Sequence, residues 1–182
     1  MDALQAIEKR RSTRNYLSRP ISRDKLDILL KAGASAPKAG DFHICMVLNA
    51  QVLRQINDQA LSAMKNSAND FLMSRANLPG YQPLYGAPAL MVISAAADNP
   101  YGMANASNAA TTACIAATAL NLGSCYLLTP TLALNNDQDL CKRIGMPDGY
   151  KPMCAVALGF RGDADRFSAP CVPGFENYNY CE

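Results

Sequence analysis

The longest uncharged stretch of the chain runs from Asn99 to Asn136 and contains no Asp, Glu, Lys or Arg. Asn, Ser and Thr side chains are scattered through it, so it does not fit a membrane span. A helix over about 103–122, buried against protein on nearly all sides, explains the pattern better. Gly123 is expected at the C′ position that ends this helix. The fold must therefore surround a long helix with other elements.

Two other segments predict buried strands. The sequence PALMVISAAA (88–97) is apolar without alternation, which is typical of a strand covered on both faces. The sequence MCAVALGF (153–160) predicts a last buried strand. Residues 42–50 predict a further strand, and residues 124–128 predict a short extended piece.

Helical patterns occupy much of the remaining chain. We predict further helices over 2–11, 22–35, 52–65 and 136–145. The first has Ala3, Leu4 and Ile7 on one side, and residues 67–88 mix Pro, Gly and aromatics as in a loop or a short helix. Helices come first and strands separated by helices follow, so the order predicts an α+β or three-layer domain. A chain of 182 residues fits one such domain.

Composition and spacing exclude several classes of function. The net charge of +2 provides no general basic field, so nucleic acid is not an expected partner. The eleven glycines form neither a G-x-G pair nor the P-loop spacing, and no G-x-S-x-G sequence is present. A single histidine, His43, rules out two-histidine metal motifs and is expected to be structural rather than catalytic. No metal site is expected, so an enzyme would need an organic cofactor.

The seven cysteines never stand two or three residues apart, which excludes zinc and thioredoxin-like spacings. Their number is odd and several lie in apolar runs, so we expect free, buried thiols in a reducing compartment. The N-terminal sequence MDALQAIEKR lacks the apolar region of a signal peptide. These features favour a cytoplasmic location.

Cations concentrate where the first predicted helix ends, in the sequence IEKRRSTRNY. Lys9, Arg10, Arg11 and Arg14 lie close together there, with Ser12 among them. Two guanidiniums with a hydroxyl between them suit the oxygens of a phosphate, since each charge-assisted hydrogen bond contributes about 1.5–3 kcal/mol. The alternative is a solvated helix end whose cations complement the helix dipole.

Several motifs resemble the FMN-dependent nitroreductases. They are RRSTRNY (10–16), ASAPKAGDF (34–42), YGAPALMVIS (85–94), AATALNLGSCYL (116–127) and VALGF (156–160). The first motif is specific when it is joined to the second at this distance, and the resemblance covers most of residues 1–161. It implies a three-layer α-β-α fold with a central, mostly antiparallel sheet flanked by helices. It also implies a homodimer with two FMN sites at the subunit interface.

The resemblance also implies roles for individual residues. Arg10, Ser12 and Arg14 would bind the FMN phosphate, with Arg11 near the flavin or its ribityl chain. Residues from the other subunit would lie along the flavin ring and the ribityl side: Pro37, Lys38, Ala39 and Asp41. No catalytic side chain is implied, since flavin N5 carries the hydride.

Further implied positions lie later in the chain. Leu128 and Thr129 would place a backbone N–H near flavin N5. A cation of the C-terminal tail, Arg161 or Arg166, would complete the phosphate site. Residues 1–182 would form a single domain whose tail, 161–182, packs on the partner subunit.

The sequence departs from the family pattern in the second motif. Lys38, Asp41, His43 and Ile44 stand where the family usually has Ser, Asn, Gln and Pro. An acid at position 41 near the flavin pyrimidine edge would disfavour an anionic reduced flavin unless Lys38 offsets it. These changes leave FMN as the expected cofactor and leave the substrate open.

The implied activity is the reduction of nitroaromatic, quinone or similar small acceptors by NADH or NADPH, in a ping-pong scheme. One alternative is a flavin enzyme of the same superfamily with other chemistry, such as reductive dehalogenation or flavin fragmentation. Another is an FMN-binding carrier or redox sensor without turnover. An unliganded α+β domain with a basic helix end is the simplest alternative.

Overall fold

The computed structural model of the protein describes residues 1–163, 167 and 181. The helices are α1 (Ala3–Lys9), α2 (Arg23–Ala34), α3 (Ala50–Lys65), α4 (Asp70–Ala76), α5 (Gly102–Ala119), α6 (Thr129–Leu134) and α7 (Gln138–Arg143). The strands are β1 (Phe42–Val47), β2 (Ala89–Ala96), β3 (Gly123–Leu127) and β4 (Tyr150–Gly159). They form one sheet in the order β1-β2-β4-β3, and every neighbouring pair is antiparallel.

Both faces of this sheet are covered by helices, which explains the uninterrupted apolar run of β2. Leu90 and Val92 point into a core shared with α3, α6 and α7. Met91 and Ile93, one position along, point into a second core shared with α2 and α5. All four side chains are fully buried. The predicted three-layer α-β-α architecture with an antiparallel sheet is therefore confirmed.

The uncharged helix α5 is buried along much of its length, as predicted, but it ends differently. Asn121, not Gly123, takes the left-handed C′ position, with a φ of 57°. The Leu122 N–H donates to the carbonyl of Ala117, and the Asn121 N–H donates to that of Thr118, as in a Schellman motif. Asn tolerates this conformation because its short polar side chain suits the left-handed region. Gly123 is thereby free for another role, as the first residue of β3.

Residues 67–88, predicted as a loop or a short helix, contain the short helix α4. Two smaller differences concern the other short helices, and the first is that α1 is shorter than predicted. Helix α6 was not predicted, because six residues are too few to show a helical period and Pro130 lies in its first turn. Leu4 and Ile7 of α1 remain exposed on the single chain, at 79% and 53% of their surface. The apolar side of α1 is thus not used within the subunit.

Within the described residues, no helix combines the length and apolar character that crossing a membrane requires. The described cysteines are all free: Cys45, Cys114, Cys125 and Cys154 are buried, Cys141 is half-buried and Cys181 is exposed. The prediction of free, mostly buried thiols is confirmed for these six residues. Cys171, Arg166 and most of the predicted tail lie outside the described residues.

Candidate functional site

The segment that follows α1 is held against two neighbouring strands, at the beginning of β3 and the end of β4. The Thr13 N–H donates to the Ser124 carbonyl of β3 at 2.8 Å. Further along, the Leu17 N–H donates to the Phe160 carbonyl at 2.9 Å, and the Gly162 N–H donates to the Asn15 carbonyl at 3.0 Å. Residues 12–17 therefore run along the beginning of β3 and the chain just after β4. This pairing fixes the backbone of Ser12 and Arg14.

Gly123 allows this close approach. A Cβ atom on Gly123 would lie 2.8 Å from both Cγ2 and Oγ1 of Thr13 and 3.0 Å from Cγ of Arg161. Real Cβ contacts are not this short, so only glycine fits without movement of its neighbours. Arg161 also forms an isolated antiparallel bridge with Tyr16. The structure thus brings Arg161 beside the segment that carries Ser12 and Arg14.

Arg10 lies near the same strand end, on its α5 side. Burial raises the pKa of the Cys114 thiol of α5, and the positive charge of Arg10 partly opposes that rise. Ser12 pairs with Ser124 at the beginning of β3, Arg14 follows two residues later, Arg161 lies beside Gly123, and Arg10 ends α1 just before this segment.

A cavity of about 430 Å³ opens at the other end of β3, within the range of small-molecule sites. Three predicted cofactor residues line it, namely Arg14, Leu128 and Thr129. The Thr129 hydroxyl oxygen is buried and, within the described residues, has no hydrogen-bond partner. Buried hydroxyls are normally paired, so this oxygen is suited to a ligand donor or acceptor in the cavity.

The sequence profile of the nitroreductase family matches residues 7–160. The chain belongs to the nitroreductase family. The sheet, the cation-bearing N-terminal segment and every described helix except the first part of α1 lie within the matched range.

Solved structures agree with this membership. A nitroreductase with bound FMN from Bacteroides fragilis NCTC 9343 is 25% identical, with 100% of both chains covered and a TM-score of 0.87. A nitroreductase with bound FMN from Desulfitobacterium hafniense DCB-2 is 23% identical, with 100% of both chains covered and a TM-score of 0.90. An iodotyrosine deiodinase bound to FMN and 3-iodo-L-tyrosine is 18% identical, over 98% of this chain and 100% of that one, with a TM-score of 0.73. No protein of curated function matches this chain in sequence.

The second predicted motif of this nitroreductase-family chain lies elsewhere on the subunit, on the N-terminal half of α5. The Asn105 side chain donates to the Ala39 carbonyl at 2.8 Å and accepts from the Ala39 N–H at 2.9 Å. The Asn108 side chain donates to the Pro37 carbonyl at 3.1 Å. Pro37, Lys38 and Ala39 are exposed and do not line the 430 Å³ cavity of their own chain. Their predicted role on the partner's cofactor stays a prediction.

Lys38 and Asp41 form an ion pair in this loop, with 2.9 Å between Nζ and Oδ1. Lys38 lowers the pKa of Asp41 through this hydrogen bond and through its charge. The unusual acid of the motif is therefore paired with a cation, while its predicted place near a flavin stays a prediction. Both side chains are largely solvent-exposed, so the pair itself contributes little to stability.

Arg11 is exposed and turned back onto the first helix. Its Nη1 donates to the carbonyls of Glu8 at 2.6 Å and of Arg10 at 2.8 Å. These bonds satisfy carbonyl groups at the C-terminal end of α1. Its predicted place near the flavin or ribityl chain stays a prediction.

Residues 67–88, predicted as a loop or a short helix, contribute side chains to the cavity that the sequence had not indicated as site residues. Phe71, Arg75, Tyr81 and Tyr85 line the cavity, as does Tyr126 of β3. A single cation among aromatics, in the sequence SRANLPGYQPLYG, is the signal that could have found them. Asn105 and Asn108 were also missed, although Asn is a poor helix former and thus conspicuous inside a long helix.

Two other features of the molecule are not part of this site. A larger cavity of about 630 Å³ is lined by Arg54 and Asn57 of α3 and by residues near Leu84, and no predicted site residue borders it. Cys45 lies 3.4 Å from Nδ1 of His43, but burial raises the pKa of this thiol to about 11. A protonated thiol is a weak nucleophile. Within the described residues, no cluster of His, Cys, Asp or Glu is suited to a metal.

Proposed function

We propose that the protein is an FMN-dependent oxidoreductase that uses NADH or NADPH to reduce nitroaromatic, quinone or similar small acceptors. The observation that carries this proposal is the pairing of the segment that bears Ser12 and Arg14 with the beginning of β3, where Arg161 also lies. A phosphate needs several donors on one side, and the guanidiniums of Arg10, Arg14 and Arg161 with the Ser12 hydroxyl would provide them. Because the chain belongs to the nitroreductase family, FMN is the expected ligand that carries this phosphate.

The chemistry of the cavity also fits the remainder of FMN. Arg14 borders both the phosphate-binding cluster and the 430 Å³ cavity, so a single ligand could reach from one to the other. Leu128 and Thr129 provide backbone N–H groups at the N-terminal end of α6, and the Thr129 hydroxyl lacks a described partner. The B. fragilis and D. hafniense nitroreductases, which bind FMN, share this fold along their whole length.

When bound, FMN would take a hydride at N5 from NADH or NADPH and supply the electrons to an acceptor in a second, separate reaction. The protein's part is to bind and orient. Arg10, Ser12 and Arg14 would hold the phosphate, and the residues at the start of α6 would hold the ring side. No side chain is required to accept or donate the hydride.

We also propose that the active protein is a homodimer with FMN at the interface. Leu4 and Ile7 of α1 are exposed, and α1 packs against α5, whose own exposed face carries no charge. The loop with Lys38 and Asp41 is anchored on α5 and lies outside the cavity of its own chain. A partner packed on α1 and α5 would cover the apolar residues and bring this loop toward the other cavity.

A visible spectrum of the purified protein, followed by anaerobic titration with NADH and NADPH, tests the function. We expect a yellow protein that is bleached by a nicotinamide donor and turns over when a quinone or nitroarene is added. A protein that is reduced once but does not turn over would be a carrier or sensor. A protein that stays colourless after FMN is added would contradict the proposal altogether.

A further inference from the structure

One part of the cavity wall combines a cation with aromatic rings. Arg75 of α4 lies with its guanidinium carbon 5.5 Å from the centre of the Tyr81 ring and 5.7 Å from that of Phe167. Its Nη2 donates to the Phe167 carbonyl at 3.4 Å. The Tyr81 and Tyr85 rings meet edge to face, with centres 5.7 Å apart. This wall is distinct in sequence from the phosphate-binding cluster, which comes from residues 10–14 and 161.

The turn that carries these tyrosines is held in an unusual conformation. Tyr85 has a φ of 54°, and Gly86 follows with a φ of 74°. A bulky residue in the left-handed region is uncommon and persists where surrounding contacts enforce it. The Tyr85 N–H donates to the Gln82 carbonyl at 3.0 Å, and the Ala87 N–H donates to that of Leu84 at 3.0 Å. These bonds fix the direction of the Tyr85 ring at the cavity.

The charge of Arg75 is not balanced by a described carboxylate. The ion pairs among the described residues join Arg23 to Asp27 and Lys38 to Asp41. The described partners of Arg75 are a carbonyl oxygen, two aromatic rings and the hydroxyls of Tyr85 and Tyr81. Burial raises the pKa of Tyr81, so this phenol stays neutral and does not offset the charge. A guanidinium has five N–H donors, and the contacts of Arg75 with the described residues use fewer than five.

We propose that Arg75, with Tyr81 and Tyr85, forms a subsite that selects planar aromatic acceptors carrying a carboxylate. The proposal rests on the proposed function, because it places such an acceptor in the same cavity as the flavin. The fork of N–H groups on Arg75 matches the two oxygens of a carboxylate. A planar aromatic ring can pack against the edges and faces of the tyrosine rings. A neutral acceptor of the same shape would gain the ring contacts but not the ionic ones.

Two other anions could bind Arg75, and each of these alternatives predicts a different effect of replacing Arg75. If Arg75 bound the FMN phosphate, its loss would weaken FMN binding. If it bound a phosphate of NADH or NADPH, its loss would slow flavin reduction by the donor. Under our proposal, its loss affects the acceptor alone.

Calorimetric titration of the holoprotein with benzoate and with benzamide tests the subsite directly. The two molecules share size and shape but differ in charge. We expect the wild-type protein to bind benzoate at least about tenfold more tightly than benzamide, as one charge-assisted hydrogen bond allows. Arg75→Gln should abolish this preference and leave benzamide binding unchanged. Arg54→Gln, which removes an exposed cation from α3, should keep it.

A kinetic measurement complements the titration. With para-nitrobenzoate as acceptor, we expect Arg75→Gln to raise KM about tenfold or more, with little change for para-nitrobenzamide. Arg75→Lys keeps the charge but loses the planar fork, so it should retain part of the preference. An Arg75→Gln protein that still prefers benzoate, or that loses FMN or donor reactivity instead, would overturn the proposal.

The outcomes separate this subsite from the proposed function. A yellow, active protein without a preference for the carboxylate would refute the subsite and leave the function intact. A colourless protein that still distinguishes benzoate from benzamide through Arg75 would refute the function and keep an anion-binding cavity. Circular dichroism of each variant verifies that the fold is retained.

Discussion

At the scale of single residues, the site depends on how closely the N-terminal segment approaches β3. Gly123 has no side chain, and this absence allows Thr13 and Arg161 to lie against the same backbone. The segment that carries the cations can therefore lie close to Arg161 and to the backbone of β3. A small residue that binds nothing itself therefore determines where the cations lie.

We expect Gly123→Ala to destabilise the protein by about 1–3 kcal/mol, because the new methyl group overpacks a closely packed contact. The destabilisation should be smaller when Thr13 is also changed to Ala, since Thr13 contributes the two closest atoms. Urea unfolding of the apo forms of the wild type, both single variants and the double variant measures the coupling. Strictly additive effects would show that the two residues are not in contact.

The cations themselves give a second residue-scale prediction. Replacing Arg10 and Arg14 together by Ala should weaken FMN binding by at least about a hundredfold, since each lost charge-assisted bond costs about 1.5–3 kcal/mol. Arg54→Ala serves as the control, because Arg54 lies on α3 beside the other cavity. Quenching of flavin fluorescence on titration measures both. Equal, small effects would place the phosphate elsewhere.

At the scale of elements, Asp137 joins two helices. Its Oδ1 accepts from the Leu140 N–H at 2.8 Å, which caps α7. Its Oδ2 accepts from the side chains of Gln59 at 2.9 Å and Gln55 at 3.2 Å, both on α3. These bonds, the one from Gln59 first, lower the pKa of Asp137 below its ordinary value of 3.8.

A lowered pKa in the folded state means that the ionised form stabilises the fold. This contribution is complete above pH 3.8 and disappears as the pH falls through the lower, folded-state pKa. We therefore expect Asp137→Asn to lower the urea midpoint at neutral pH and to match the wild type more closely at about pH 3. Asp139→Asn, an exposed change in the same helix, should show a smaller difference. A wild-type advantage that is constant with pH would argue against this role.

Elements with a long periodic segment or a long apolar run could be predicted from the sequence. Element ends and short helices that depend on tertiary contacts could not. The apolar runs of β2 and β4 and the uncharged α5 were correctly assigned, because burial dictates their composition. The predicted end of α5 was wrong, since both Asn121 and Gly123 suit a C′ position when only the local sequence is considered. Only the packing of Thr13 shows that Gly123 is needed elsewhere. Helix α6 was not predicted because six residues are too few to show a helical period.

The site was predicted to a similar extent. The order Arg10, Ser12, Arg14 was recognisable as a motif, whereas the placement of Arg161 beside Gly123 depends on strand pairing over a long sequence separation. Arg75 and Tyr81 could not be assigned, since a lone cation among aromatics has many possible neighbours until the chain folds. Spacing predicted a phosphate-binding role for the N-terminal cations, which stays a prediction, and only the three-dimensional structure showed the cavity wall that contains Arg75.

At the scale of the whole molecule, the exposed apolar residues of α1 give the next prediction. Changing Leu4 and Ile7 together to Asp should dissociate the proposed dimer and weaken FMN binding, because both side chains are exposed on the single chain. Leu48→Asp is a suitable control, since Leu48 is 44% exposed on the α3 side of the sheet. Sedimentation equilibrium measures the mass. A double variant that remains dimeric would move the interface away from α1.

The central claim is that the N-terminal cations bind the phosphate of a flavin mononucleotide. Titration of the apo-protein with FMN and with riboflavin, which lacks the phosphate, tests it most directly. We expect FMN to bind at least about a hundredfold more tightly than riboflavin, since several charge-assisted hydrogen bonds go to the phosphate. Equal affinity for the two flavins, or binding of neither, would contradict the account.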